Sequence, residues 1–120
     1  MIRELYKFMD KTFENGCEPP EEAIQLLVEG EEVMYSFETK AKDKALFTNK
    51  RLMVMDKGSR KKIYSIPYSE VVVWSSEECA DVADKNAEVT LWTELEKVKV
   101  NLAKGADVRG IDRVIAQSKL

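Results

Sequence analysis

Histidine is missing from this chain altogether. That removes the side chain best poised for proton transfer near neutral pH and the commonest transition-metal ligand. Cysteine occurs only at Cys17 and Cys79. Two isolated thiols build neither a zinc site nor a disulfide framework, and without an export signal they are expected to be free. No glycine-rich phosphate loop, nucleophile elbow or paired-cysteine motif is present. These gaps leave no catalytic residue to name, no metal ligands and no cofactor, so the chain reads as a non-enzyme. An acidic loop carries Glu77, Glu78, Asp81 and Asp84 but lacks the glycine and terminal glutamate of the known calcium loop, which makes a metal-using enzyme the weakest reading.

Excess positive charge is also missing, since 19 Lys and Arg face 22 Asp and Glu for a net charge of −3. A general nucleic-acid binder, which depends on releasing counterions from phosphates, is therefore not expected. No apolar run approaches the roughly 20 residues that span a bilayer. Met1 leads into Arg3, Glu4 and Lys7 rather than an apolar signal segment, so a cytoplasmic chain without a transmembrane segment is expected.

What is present is an ordinary globular composition, 44% apolar and 34% charged over 120 residues, enough for one domain with a real core. Apolar groups at 2, 5, 6, 9 and 13 form one arc of a helix over Ile2–Phe13, stopped by Asn15-Gly16. Pro19-Pro20 opens a second short helix, Glu21–Val28, closed by Gly30. From Glu32 the period changes to two residues. Val33, Tyr35 and Phe37 alternate with Met34, Ser36 and Glu38 in a first strand, and a polar loop, Glu38–Lys44, follows. Ala45-Leu46-Phe47 and Leu52-Met53-Val54-Met55 flank Thr48-Asn49-Lys50-Arg51 as a hairpin. The chain returns through Lys61–Ile66 to Pro67, turns at Tyr68-Ser69-Glu70, and continues as a strand over Val71–Ser76. Ala87–Thr93 and Glu96–Leu102 alternate as another hairpin. Asp107 then stands as the N-cap of a helix whose stripe is Val108, Ile111, Val114 and Ile115. Gly110 costs that helix about 1 kcal/mol relative to Ala.

A meander of seven strands followed by one helix leaves open sheet edges, and rolling the strands into a barrel plugged by the helix is the economical solution. The blocks VEGEEV, FTNKRLMVMDK, SIPYSEV, AEVTLWTE and KGADVRGIDRVI, in that order over residues 26–115, resemble the bacterial pleckstrin-homology-like domain family. The resemblance implies a mainly β fold (α+β): a partly open barrel of two orthogonal antiparallel sheets, capped by the C-terminal helix. Residues 1–30 would be a helical extension and 31–120 the barrel. Eukaryotic relatives of the fold often bind phosphoinositide head groups through basic residues between the first two strands. Here Lys40, Lys42 and Lys44 occupy that loop and make a peripheral membrane adaptor the alternative reading, set against the interleaved Glu38 and Asp43.

Apolar residues on the wrong faces are more informative. If Val89, Leu91, Val98 and Val100 face the core, Trp92 points outward, and Trp74, Met34 and one of Met53 and Met55 are expected outside as well. Such a patch is rarely left bare. The resemblance further implies assembly into symmetric homo-oligomers, often ring-like. The interface expected on these grounds is Trp74, Trp92 and the helix residues Leu5, Met9 and Phe13, with the helix covering either its own barrel or a neighbour.

Overall fold

A computed structural model describes residues 12–57, 62–78 and 86–120. Two short strands, β1 (Thr12–Phe13) and β2 (Asn15–Gly16), precede a helical turn, α1 (Glu21–Ile24). A meander follows of β3 (Val33–Glu38), β4 (Lys44–Thr48), β5 (Arg51–Asp56) and β6 (Lys62–Pro67). A 3-10 turn at Tyr68–Glu70 leads to β7 (Val73–Glu77), β8 (Asn86–Trp92), β9 (Lys97–Ala103) and the terminal helix α2 (Val108–Lys119). The described strands form two sheets, in the orders β1-β9-β8-β7 and β2-β3-β4-β5-β6. All neighbours are antiparallel except β1, which runs parallel to β9. The seven longer strands lie within two residues of the strands expected from the sequence, with β7 beginning at Val73 rather than Val71.

The short strands are the departure from expectation. Thr12 and Phe13 pair with Asn101 and Leu102, whereas Asn15 and Gly16 pair with Glu38 and Phe37. With Glu14 alone between them, the segment passes from the edge of one sheet to the edge of the other and ties β9 to β3. The helix expected to run through Phe13 therefore does not include it, and the stop expected at Asn15-Gly16 is a strand. An amphipathic arc loses here to two sheet edges whose N–H and C=O groups need partners. The rest of that expected helix, with Leu5 and Met9, lies outside the described residues.

Inward-facing residues of both sheets meet in one core. Ala45, Phe47, Leu52 and Val54 oppose Val89, Leu91, Val98 and Val100, and Ile111 and Ile115 of α2 close one end. Phe13 is fully buried in this core. A second, smaller cluster lies on the outer face of the five-stranded sheet, where Ala23 and Leu27 cover Leu46, Met53 and Met55. Both methionines thus point outward from the barrel yet are buried, under a segment whose helix is shorter than the expected Glu21–Val28. Met34 is 43% exposed because the pairing slips between Val33 and Tyr35, leaving it as a bulge residue.

At the start of α2 the Asp107 side chain accepts from the Gly110 N–H at 3.0 Å and from the Tyr35 hydroxyl at 2.8 Å. The second bond fastens the helix to β3. The Tyr35 bond, then the Gly110 bond and the nearby Arg113 charge, hold the Asp107 carboxyl below its ordinary value. Burial, then the carboxylate, raises the Tyr35 phenol. A Cβ on Gly110 would stand 2.0 Å from the Tyr35 oxygen and 2.2 Å from an Asp107 oxygen. Gly→Ala inside a helix ordinarily stabilises by about 1 kcal/mol. Here Gly110→Ala is expected to lower the urea midpoint, and to do so less in a Tyr35→Phe background, where one of the two obstructing oxygens is gone.

Candidate functional site

The residues that make the sequence recognisable converge on one knot at an end of the barrel. Glu31, whose side chain is 0% exposed, pairs with the Arg51 guanidinium, Nε to Oε2 at 2.9 Å and Nη2 to Oε1 at 3.0 Å. The Thr48 hydroxyl donates to Glu31 Oε2 at 2.7 Å and the Val28 N–H to Oε1 at 3.0 Å. Arg51 also reaches the Leu26 carbonyl at 2.7 Å and the Ser65 hydroxyl at 3.2 Å. Beside it, the Asn49 side chain accepts from Glu32 N–H and donates to the Gly30 carbonyl, each at 2.9 Å. Tyr68, fully buried, donates its hydroxyl to the Thr48 carbonyl at 2.8 Å, and burial with the nearby Glu31 charge pushes its phenol well up.

Burial alone would raise the Glu31 carboxyl, but the bonds from Arg51, Thr48 and the Val28 backbone outweigh it and hold the group below its ordinary 4.5. With all three Arg51 guanidinium nitrogens bonded to neighbours in the chain, this knot is a structural device.

The expected anion-binding lysines are spoken for in a similar way. Lys44 Nζ lies 2.5 Å and Lys42 Nζ 3.2 Å from the two oxygens of Glu38. These bonds, Lys44 first, hold the Glu38 carboxyl below its ordinary value. The loop turns about the buried Asp43, which accepts from Thr39 Oγ1 at 3.1 Å and from the Lys57 N–H at 2.9 Å. Lys42 takes φ +73° to make the turn. Lys40 remains exposed, so the three lysines do not present one cationic patch.

The two tryptophans occupy opposite faces of the four-stranded sheet. Trp74 pairs with the buried Leu91 and packs against the core. Its expected outward position is corrected by register: Val71 is buried ahead of β7, Val72 and Val73 are both exposed, and the alternation resumes one residue later. Trp92 does face out, paired with Val73 on one side and Lys97 on the other. The Lys97 ammonium lies 5.8 Å from its ring centroid. Val72, 58% exposed, and Val73, 56% exposed, adjoin it, and the Val72 N–H donates to the Trp92 carbonyl at 2.8 Å. Farther along this face Thr90 and Asn101 are buried, which confines the exposed apolar area to the Trp92 end. Of the other residues expected at the interface, Phe13 belongs to the core. Leu5 and Met9 lie outside the described residues. The missing signal was Val73, which alternation had placed inward.

Among the described residues no three His, Cys, Asp or Glu side chains gather as a metal site. Glu78 of the acidic loop pairs with Arg109, while Asp81, Asp84 and Cys79 lie outside the described residues. Cys17 is a free thiol, its sulfur 3.2 Å from the Ser36 hydroxyl. No described helix is long and apolar enough to cross a membrane.

Comparison with known proteins agrees with this geometry. The family model described as Bacterial PH domain matches residues 5–119, reaching further toward the N-terminus than the blocks over 26–115. A DUF1696 family protein with a pleckstrin-homology domain from Shewanella loihica PV-4 superposes with a TM-score of 0.71 at 26% identity, over 88% of this chain and 98% of that one. A pleckstrin-homology domain from Shewanella amazonensis SB2B gives 0.59 at 32% identity, over 82% and 83%. A PH-domain-containing protein from Exiguobacterium sibiricum 255-15 gives 0.66 at 19% identity, over 90% of this chain and 63% of that one, and speaks for the fold alone. No curated protein matches the chain.

The Glu31 carboxyl titrates lower in the folded chain than in the unfolded one. Its contribution to stability is therefore complete above about pH 4.5 and lost as the pH falls through the folded value. Urea titrations of the wild type and Glu31→Gln from pH 6 to pH 3 check this: the gap between them is expected to close below pH 4.5, and a gap that stays constant would show that the pair does not titrate as the geometry requires.

Proposed function

Because this chain belongs to the bacterial PH domain family, we propose that it is a non-catalytic binding module that assembles with copies of itself through the Trp92 end of its four-stranded sheet. The observation that carries the reading is Val73 and Trp92 paired on one outer face, with the exposed Val72 next to them in the chain. Exposed apolar surface of this kind marks contact sites on soluble domains, and tryptophan is over-represented where binding energy concentrates.

The position of the patch favours a second copy as the occupant. It lies on β7, an edge strand of its sheet among the described residues, and an open edge with exposed β-branched side chains is a template for pairing with an identical strand. A two-fold axis beside β7 would bring Val73 and Trp92 of one copy against the same residues of the other, as an isologous contact requires.

The absolute mass in solution tests the proposal. Light scattering after size exclusion is expected to return a multiple of the 13.7 kDa chain. Trp92→Glu, on the outer face, is expected to move the assembly to smaller species while circular dichroism stays that of the wild type. A monomeric wild type, or a variant of unchanged mass, would overturn the assignment.

A further inference from the structure

A second surface, separate from the Trp92 face, lies where the two sheets part. Tyr64, Ser65, Ile66 and Pro67 of β6 form one wall of a groove of about 360 Å3, and Glu70 lies at its end. Thr93, Glu94, Leu95 and Glu96, the turn between β8 and β9, form the other wall. Among the described residues β6 has β5 as its one strand partner. It is thus an edge strand whose residues 64–67 line the groove.

The side chains give the groove a definite chemistry. Ile66, Pro67 and the 73%-exposed Leu95 make it apolar, while Glu70, Glu94 and Glu96 are its charged residues and all are acidic. Glu96 is 6% exposed, and its Oε2 is buried without a hydrogen-bond partner among the described residues. The turn explains how the residue is fixed: Thr93 Oγ1 accepts from the Glu96 N–H at 3.0 Å, and the Thr93 N–H donates to the Glu96 carbonyl at 2.8 Å. The backbone is thus satisfied while a carboxylate oxygen is not. A buried carboxylate oxygen without a donor is costly, and a cationic donor arriving from outside the chain removes that cost.

We propose that this groove binds an extended segment of a partner protein, which adds along the β6 edge and delivers an arginine or lysine side chain to Glu96. An edge strand supplies main-chain hydrogen bonds, and the pocket beside it selects a side chain, as in other strand-addition modes. Charge complementarity chooses the basic residue. The apolar walls suit its methylene stem and the β-branched neighbours of an extended segment.

The test uses fluorescence anisotropy of the full chain with the labelled peptide acetyl-Thr-Val-Arg-Val-Thr and a matched peptide carrying norleucine in place of the arginine. The arginine peptide is expected to bind in a salt-sensitive manner, and the norleucine peptide and Glu96→Gln each to lose at least about tenfold in affinity. Glu77→Gln, an acid on the exposed side of β7, is expected to bind as the wild type does. The peptide comparison is made on the unaltered protein and so stands whether or not the variant folds. Equal binding of the two peptides, no binding of either, or equal binding by a folded Glu96→Gln variant would overturn the proposal. So would displacement by butylguanidinium at the peptide's own affinity, which would mark a small-cation site. A change of assembly mass in folded Glu96→Gln would instead make the groove a contact between copies.

Discussion

The buried ion pair between Glu31 and Arg51 is the constraint on which much of the fold depends. A charge removed from water is tolerated only when nearly every lone pair and proton finds a partner, and this pair enlists Thr48, Ser65 and the backbone at Leu26 and Val28 to meet that demand. The consequence is positional. Segment 26–31 is anchored to β5, which keeps Ala23 and Leu27 over the outer face of the five-stranded sheet and buries Met53 and Met55. Through Thr48 and Tyr68 the same knot sets the entrance and exit of the meander, because Tyr68 reaches back to the Thr48 and Lys50 carbonyls as the chain leaves for the second sheet. Tyr35, Asp107 and Gly110 perform a similar fastening for the terminal helix.

This division of labour bears on function. Within the blocks by which the chain is recognised, Glu31, Thr48, Arg51 and Ser65 bond to one another and Asp107 caps α2. In this chain those side chains fix the shape of the domain. Two surfaces lie beside the knot rather than within it: the Trp92 end of one sheet and the seam beside β6, where Ser65 belongs to both knot and groove. These differ in chemistry, the first apolar with a lysine over its ring, the second apolar with acidic residues.

The longer strands, the terminal helix and its Asp107 cap were legible in the sequence because two-residue alternation and cap chemistry are local signals. The family was legible from the order of its blocks. The strap at Thr12–Gly16 was not, since its strand character comes from sheet edges far away in sequence rather than from its own pattern. Trp74 was misplaced by a slip of one residue near Val72, where consecutive valines carry no alternation to read. For the lysine loop the sequence already set Glu38 and Asp43 against an anion site; what it did not show is that Glu38 pairs with both Lys42 and Lys44. Glu96 was silent for a related reason: one glutamate among many gains meaning only when its burial is known.

The recognisable motifs act together as a buried structural unit. The most direct test is a double-mutant cycle on Glu31→Gln and Arg51→Met, read by urea denaturation at pH 7. Each single variant is expected to be strongly destabilised, with a coupling energy of at least about 2 kcal/mol. Additivity of the two variants to within about 0.5 kcal/mol would contradict it.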